Sequence, residues 1–122
     1  MPSHDTPTRK LAAIMFTDIA GYTAQMSKDE SKALNLLKTK ESILKPLIKK
    51  YNGTYVKSTG DGSLSYFPSA IDAATCSVKL QEATFDDDNM NIRVGIHLGD
   101  IVFTGDDVFG DGVNVAARIE SI

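Results

Sequence analysis

The chain has 122 residues, 42% hydrophobic and 24% charged, enough for one domain with its own core and too few for two. A net charge of −3 gives no electrostatic case for nucleic-acid binding, and no apolar run approaches the ~20 residues of a membrane span. The single cysteine, Cys76, excludes an internal disulfide and fits a reducing, cytoplasmic compartment.

Residues 1–10 are polar, contain proline and lack the apolar stretch of a signal peptide. They read as a loose tail ahead of a domain spanning 11–122. Leu11-Ala12-Ala13-Ile14-Met15-Phe16 is a continuous apolar run, which suits a strand buried on both faces. It ends in Thr17-Asp18-Ile19-Ala20-Gly21-Tyr22. Asp18 there either caps a following helix or serves as a metal ligand at the strand's carboxyl end. In the second case the amides of the next helix stay free for an anion, which makes Ile19, Ala20, Gly21 and Tyr22 candidate substrate contacts. Residues 31–51 read as one helix, with Leu34, Leu37, Leu44, Ile48 and Tyr51 on one face. Pro46 should kink it or mark a new start. Asn52-Gly53 is the stop signal.

Residues 54–59 are rich in β-formers, and 63–67 read as a partner strand that Pro68 ends. Gly60-Asp61-Gly62 between them is a hairpin turn, since glycine takes positive φ without steric cost. A carboxylate on a rigid turn is a good metal ligand. Lys57 precedes Asp61 by about four strand residues, or roughly 13 Å, so the two are expected to serve different places. Ser69 and Asp72 resemble a capping box, and Ala73, Cys76, Leu80 and Ala83 mark the buried face of a second helix. Cys76 reads as a structural thiol. The Asp86-Asp87-Asp88-Asn89 loop lacks the ligand spacing of an EF-hand and reads as solvated.

Residues 91–103 read as a strand pair or a bent strand, with Ile92, Val94, Ile96 and Leu98 alternating against Asn91, Arg93, Gly95 and His97. Gly99-Asp100 marks a turn or bulge, and His97 reads as a packed histidine. The glycine- and aspartate-rich loop 105–112 feeds a helical stretch, 113–122. Asn114 and Arg118 share a face there and either hold an anion or stay exposed. The order β-α-β-β-α-β is that of an α+β, ferredoxin-like fold, an antiparallel sheet with helices on one face. In such a sheet the first strand lies beside the hairpin. Asp18 and Asp61 would then meet and clamp two hard divalent cations, which in turn hold a triphosphate. Neither a Walker A pattern nor a dinucleotide fingerprint is present.

Four segments resemble, in order, the motifs of a class III nucleotidyl cyclase catalytic domain. They are Phe16-Thr17-Asp18-Ile19-Ala20-Gly21-Tyr22-Thr23, Lys57-Ser58-Thr59-Gly60-Asp61, Arg93-Val94-Gly95-Ile96-His97-Leu98-Gly99, and the run from Val108 to Arg118. The resemblance implies the nucleotide cyclase fold and two cations, Mg2+ or Mn2+, on Asp18 and Asp61. It implies that Lys57 and Asp107 read the adenine of ATP, that Asn114 orients the ribose and that Arg118 stabilises charge on the phosphate. It also implies a head-to-tail homodimer, with Asp18 and Asp61 from one subunit and Lys57, Asp107, Asn114 and Arg118 from the other. Domains of this family continue past the motif that ends here at Ile122, with further strands and a triphosphate-gripping lysine, so the resemblance implies an incomplete domain over 11–122 and assigns the activity to the complete one. The expected function is cyclisation of ATP to 3′,5′-cyclic AMP and pyrophosphate. The alternatives are a guanylate cyclase or a cyclase-like module that binds nucleotide or dimerises without catalysis. A haloacid-dehalogenase-type phosphatase would want a second Asp where Ala20 stands, and a cyclic-di-GMP synthase would carry a glycine-glycine-acidic signature that is absent.

Overall fold

A computed structural model describes residues 8–103 and 113–114. Strand β1 (Thr8–Ile19) is the centre of a five-stranded sheet of order β2-β3-β1-β4-β5, every pair antiparallel. The other strands are β2 (Thr54–Thr59), β3 (Gly62–Phe67), β4 (Ile92–Phe103) and the short β5 (Val113–Asn114). Helices α1 (Tyr22–Lys28), α2 (Glu30–Lys50) and α3 (Ala70–Thr84) complete the described part. This is the α+β layout expected from the element order. Pairing starts at Thr8, opposite Phe103, so residues 8–10 belong to the strand and not to a tail. Among the described residues, no helix is long and apolar enough to cross a membrane.

The run Ala12–Met15 is buried because both faces of β1 are covered. Ala13 and Met15 pack with Leu44 and Ile48 of α2 and with Ala73, Cys76 and Leu80 of α3. Ala12 and Ile14 face the other way, onto Leu64 and Ile101. Each fully buried large aliphatic side chain here, such as Leu44 or Ile48, contributes about 1.5–3 kcal/mol. Burial also pushes the Cys76 thiol up to about 11, so it packs as a thiol and is no nucleophile.

Helix α2 starts where Asp29 Oδ1 accepts from the Lys32 amide, at 3.1 Å. Its buried face is Ala33, Lys40, Leu44 and Ile48, one residue out of phase with the expected face at its start. Leu34 is 42% exposed. The seven-residue gap between Leu37 and Leu44 is where Lys40 sits, in phase with the core. The helix runs through Pro46 without ending, because Pro46 and Ser42, whose carbonyl loses its donor, both lie on the exposed side. It stops at Asn52, which takes φ 67. The Asn52 amide reaches the Lys49 carbonyl and the Gly53 amide that of Ile48, a Schellman ending.

Helix α3 is capped as expected, Ser69 Oγ accepting from the Asp72 amide at 3.1 Å. Its last buried position is Thr84 and not Ala83, which is exposed. Thr84 Oγ1 donates back to the Leu80 carbonyl, satisfying the hydroxyl inside the core. The acidic loop folds back on itself, Asp87 Oδ1 accepting from the Asn89 amide. Strand β4 is one unbroken strand with no turn at Gly99. A Cβ at Gly99 would lie 3.1 Å from Ile14 Cδ1, a tight contact at the tip of a side chain. Strand β2 carries a bulge at Val56, between the pairs Tyr55–Ser65 and Lys57–Leu64. Val113 and Asn114 pair with Phe103 and Val102 as strand, where the sequence pattern had suggested helix. Their backbone groups complete the edge of β4.

Candidate active site

Alternation along β1 puts Asp18 on the sheet face away from α2 and α3, in line with Ile14 and Phe16. Two strands meet it there. On one side the register of β4 sets Arg93 opposite. The guanidinium grips the carboxylate with two hydrogen bonds, Nε to Oδ1 at 2.7 Å and Nη2 to Oδ2 at 3.0 Å. This bond and the carboxylate's charge raise the Arg93 pKa further above its ordinary value. The side chains remain open to water, 69% and 39% exposed for Arg93 and Asp18. Asp18 therefore does not cap the next helix. That place belongs to Gly21, which makes no side-chain bond.

On the other side the β2–β3 hairpin brings in Asp61. Its Oδ2 accepts the Ile19 amide at 3.0 Å, so the turn is tied to the residue after Asp18. Gly60 takes the left-handed conformation, φ +72. Gly62 is a glycine for a different reason. A Cβ there would fall 2.4 Å from the Thr17 carbonyl oxygen and 3.5 Å from Asp18 Cβ. Strands β1 and β3 approach too closely for any side chain at that point. Behind them the buried Thr17 and Ser63 hydroxyls share a 2.5 Å hydrogen bond. A Gly62→Ala change should push against immovable backbone and cost about 1–3 kcal/mol of overpacking strain. Urea unfolding measures this, and an unchanged midpoint would show that the hairpin is not wedged against β1.

The sequence pattern missed two cations at this site. Arg93 is one, because cross-strand register is not written in local sequence. Lys40 is the other. It is fully buried, with Nζ 2.9 Å from the Asp61 carbonyl and 3.7 Å from Glu41 Oε2. Burial lowers its pKa, while Glu41, Asp61 and Asp18 pull it back up. Glu41 in turn accepts from the Tyr55 hydroxyl, which also lies 2.8 Å from Ser58 Oγ. Burial and the Glu41 bond push Tyr55 up to about 12. The only local sign of Lys40 was the gap in the apolar face of α2.

The remaining candidates are scattered. Lys57 is exposed on the edge strand β2. Asn114 lies in β5 at the opposite edge, four strand spacings or roughly 19 Å away. Of the expected substrate amides, Ile19 N already holds Asp61 and Ala20 N donates to the Asn91 carbonyl at 2.7 Å. Gly21 is exposed, and Tyr22 turns its ring inward against Ile19 and Ala33. Asp107 and Arg118 lie outside the described residues.

Asp18 and Asp61 thus offer hard, anionic oxygen donors side by side at an open rim. Among the described residues, Asp61 Oδ1 has no protein donor. Such a donor set fits Mg2+ or Mn2+, which are content with two carboxylates plus substrate oxygens and water. No cluster of three or more His, Cys, Asp or Glu side chains that could hold a metal occurs among the described residues.

Residues 5–122 match the model of the adenylate and guanylate cyclase catalytic domain. The chain belongs to that family. It is 43% identical over 122 aligned residues to a Rhizobium meliloti protein provisionally named adenylate cyclase 3, covering 93% of this chain and 21% of that protein. It is 34% identical to an adenylate cyclase of Streptomyces coelicolor, covering 90% of this chain and 29% of the relative. Among solved structures it resembles an adenylate/guanylate cyclase/hydrolase from Silicibacter pomeroyi, with a TM-score of 0.73 and 38% identity over 94% of this chain and 72% of that one. The chain thus spans less than a third of either curated relative.

Proposed function

We propose that this chain is the catalytic domain of an adenylate cyclase, converting ATP to 3′,5′-cyclic AMP and pyrophosphate at the interface of a head-to-tail homodimer. The observation that carries the reading is the meeting of Asp18 and Asp61 at the ends of β1 and the hairpin, in a chain of this family. The two carboxylates would hold the divalent cations, which when bound polarise the 3′-hydroxyl and neutralise the triphosphate. The ribose 3′-hydroxyl gives its proton to solvent water, and its oxygen bonds to the α-phosphorus as the bond to the bridging oxygen of the β-phosphate breaks and pyrophosphate leaves. Arg93 is the neighbouring cation, and any ion on Asp18 competes with its grip. Once released, it is an exposed guanidinium at the rim, suited to phosphate oxygens.

The partner subunit would supply the rest. Lys57 donates to adenine N1, and Asp107 accepts from the 6-amino group. Asn114 and Arg118 are assigned to ribose and phosphate by their motif alone. The open position of Lys57 on β2 supports a role toward a second chain, because nothing among the described residues engages it at the acid pair.

Base choice tests the reading. Guanine offers an N1–H donor and an O6 acceptor, reversing both groups that Lys57 and Asp107 meet. An unpaired polar group in a closed pocket costs about 1–3 kcal/mol, or roughly 5- to 150-fold. ATP should therefore be cyclised in preference to GTP when both are offered with manganese. Equal rates would show that these residues do not read the base. A preference for GTP would make the protein a guanylate cyclase.

A further inference from the structure

Lys40 occupies a position that any leucine or methionine would fill at lower desolvation cost. What an ammonium does there, and a methyl group cannot, is donate to the Asp61 carbonyl. That carbonyl needs a partner. The β2–β3 ladder ends at the Thr59–Gly62 pair, so the turn residue Asp61 stands outside it, and an unmatched carbonyl near the interior is costly. The ammonium comes from the helix side of the sheet, while the Ile19 amide holds the Asp61 carboxylate from the strand side. Asp61 is thereby fixed at both its backbone and its side chain. Glu41, next in the helix, offsets the ammonium's charge at 3.7 Å. It also takes the Tyr55 hydroxyl, so α2 braces the turn and strand β2 together.

We infer that Lys40 is a positioning residue for the metal site: its buried ammonium locks the Asp61 carbonyl, so that the Asp61 carboxylate stands ready beside Asp18 before a cation arrives. The inference rests on the reading of Asp18 and Asp61 as cation ligands. It assigns to the interior of α2 a role in metal affinity that neither the exposed face of the site nor the sequence motifs would suggest. Groups that orient metal ligands from behind typically carry 10- to 100-fold in affinity.

The test is manganese binding to the full chain, read from the loss of the free Mn2+ electron-paramagnetic signal in the presence of a non-cyclisable ATP analogue. Lys40→Met removes the donor but leaves the part-buried Glu41 carboxylate unbalanced, which can itself prevent folding. The paired variant Lys40→Met/Glu41→Gln removes both charges and keeps a group for Tyr55. In it, half-saturation by Mn2+ should rise about 10-fold or more. Affinity for the analogue at saturating Mn2+ should change less than about 3-fold, a split that a general loss of stability would not produce. A folded double variant that binds Mn2+ as wild type does overturns the inference. Asp61→Ala is the separate arm. If it too binds Mn2+ like wild type, the metal-site reading itself is wrong, and the role of Lys40 falls with it.

Discussion

In the complete domain, an Asp18→Ala change is expected to leave the fold intact and remove nearly all cyclase activity, by roughly a thousandfold or more. The metal ion's stabilisation of charge in such a transition state is worth several kcal/mol, and each 1.36 kcal/mol is about tenfold in rate. The fold should survive for a reason visible in the site. Asp18 is part-exposed, and its only hydrogen-bond partner among the described residues, Arg93, is largely exposed. Removing the carboxylate returns the guanidinium to water and leaves no buried group orphaned. Asp61→Ala is a less clean probe, because it also strips the Ile19 amide of its acceptor. The measurement is cyclic AMP production with manganese, alongside thermal melting of the same preparation. Wild-type turnover by Asp18→Ala would remove Asp18 from the metal site. A collapse of melting temperature would show that the Arg93 pair holds the sheet together.

The meeting of Asp18 and Asp61 was legible in sequence because it depends on topology alone. A buried apolar run ending in an acid, and a hairpin with an acid at its tip, become neighbours in any sheet where β1 pairs with β3. The same holds for the Ser69 cap and for the Asn52-Gly53 stop, whose chemistry is local. What was not legible depends on position in three dimensions. Arg93 faces Asp18 through a register 75 residues apart in sequence. The phase of α2 was misread at Leu34 because the helix buries a lysine, and a hydrophobicity pattern treats lysine as surface. Gly99 looked like a turn because glycine is a turn residue, yet it pairs with Ala12 inside an unbroken strand. Asn114 looked helical from its spacing to Arg118, and the backbone of β4 captured it as strand. In each case a long-range contact prevailed over a local preference, and at Lys40 and Arg93 that contact belongs to the site.

Mixing two dead variants of the complete domain should restore activity, if the site is shared between subunits as proposed. Asp61 and Arg118 are assigned to opposite sides of each site. An Asp61→Ala homodimer lacks a cation ligand in both sites, and an Arg118→Ala homodimer lacks the phosphate-facing cation in both. Loss of one such charge-stabilising donor costs about 100- to 1,000-fold, so each variant alone should be nearly inactive. In a mixed dimer, one site collects both defects and the other has neither. Random subunit exchange makes half the dimers mixed, each with one good site of two, so activity should recover to at most about one quarter of wild type. The experiment needs a control showing that subunits exchange, such as a tagged wild-type chain captured with an untagged one. With exchange shown and no recovery, Asp61 and Arg118 act within one chain, and the head-to-tail arrangement is wrong.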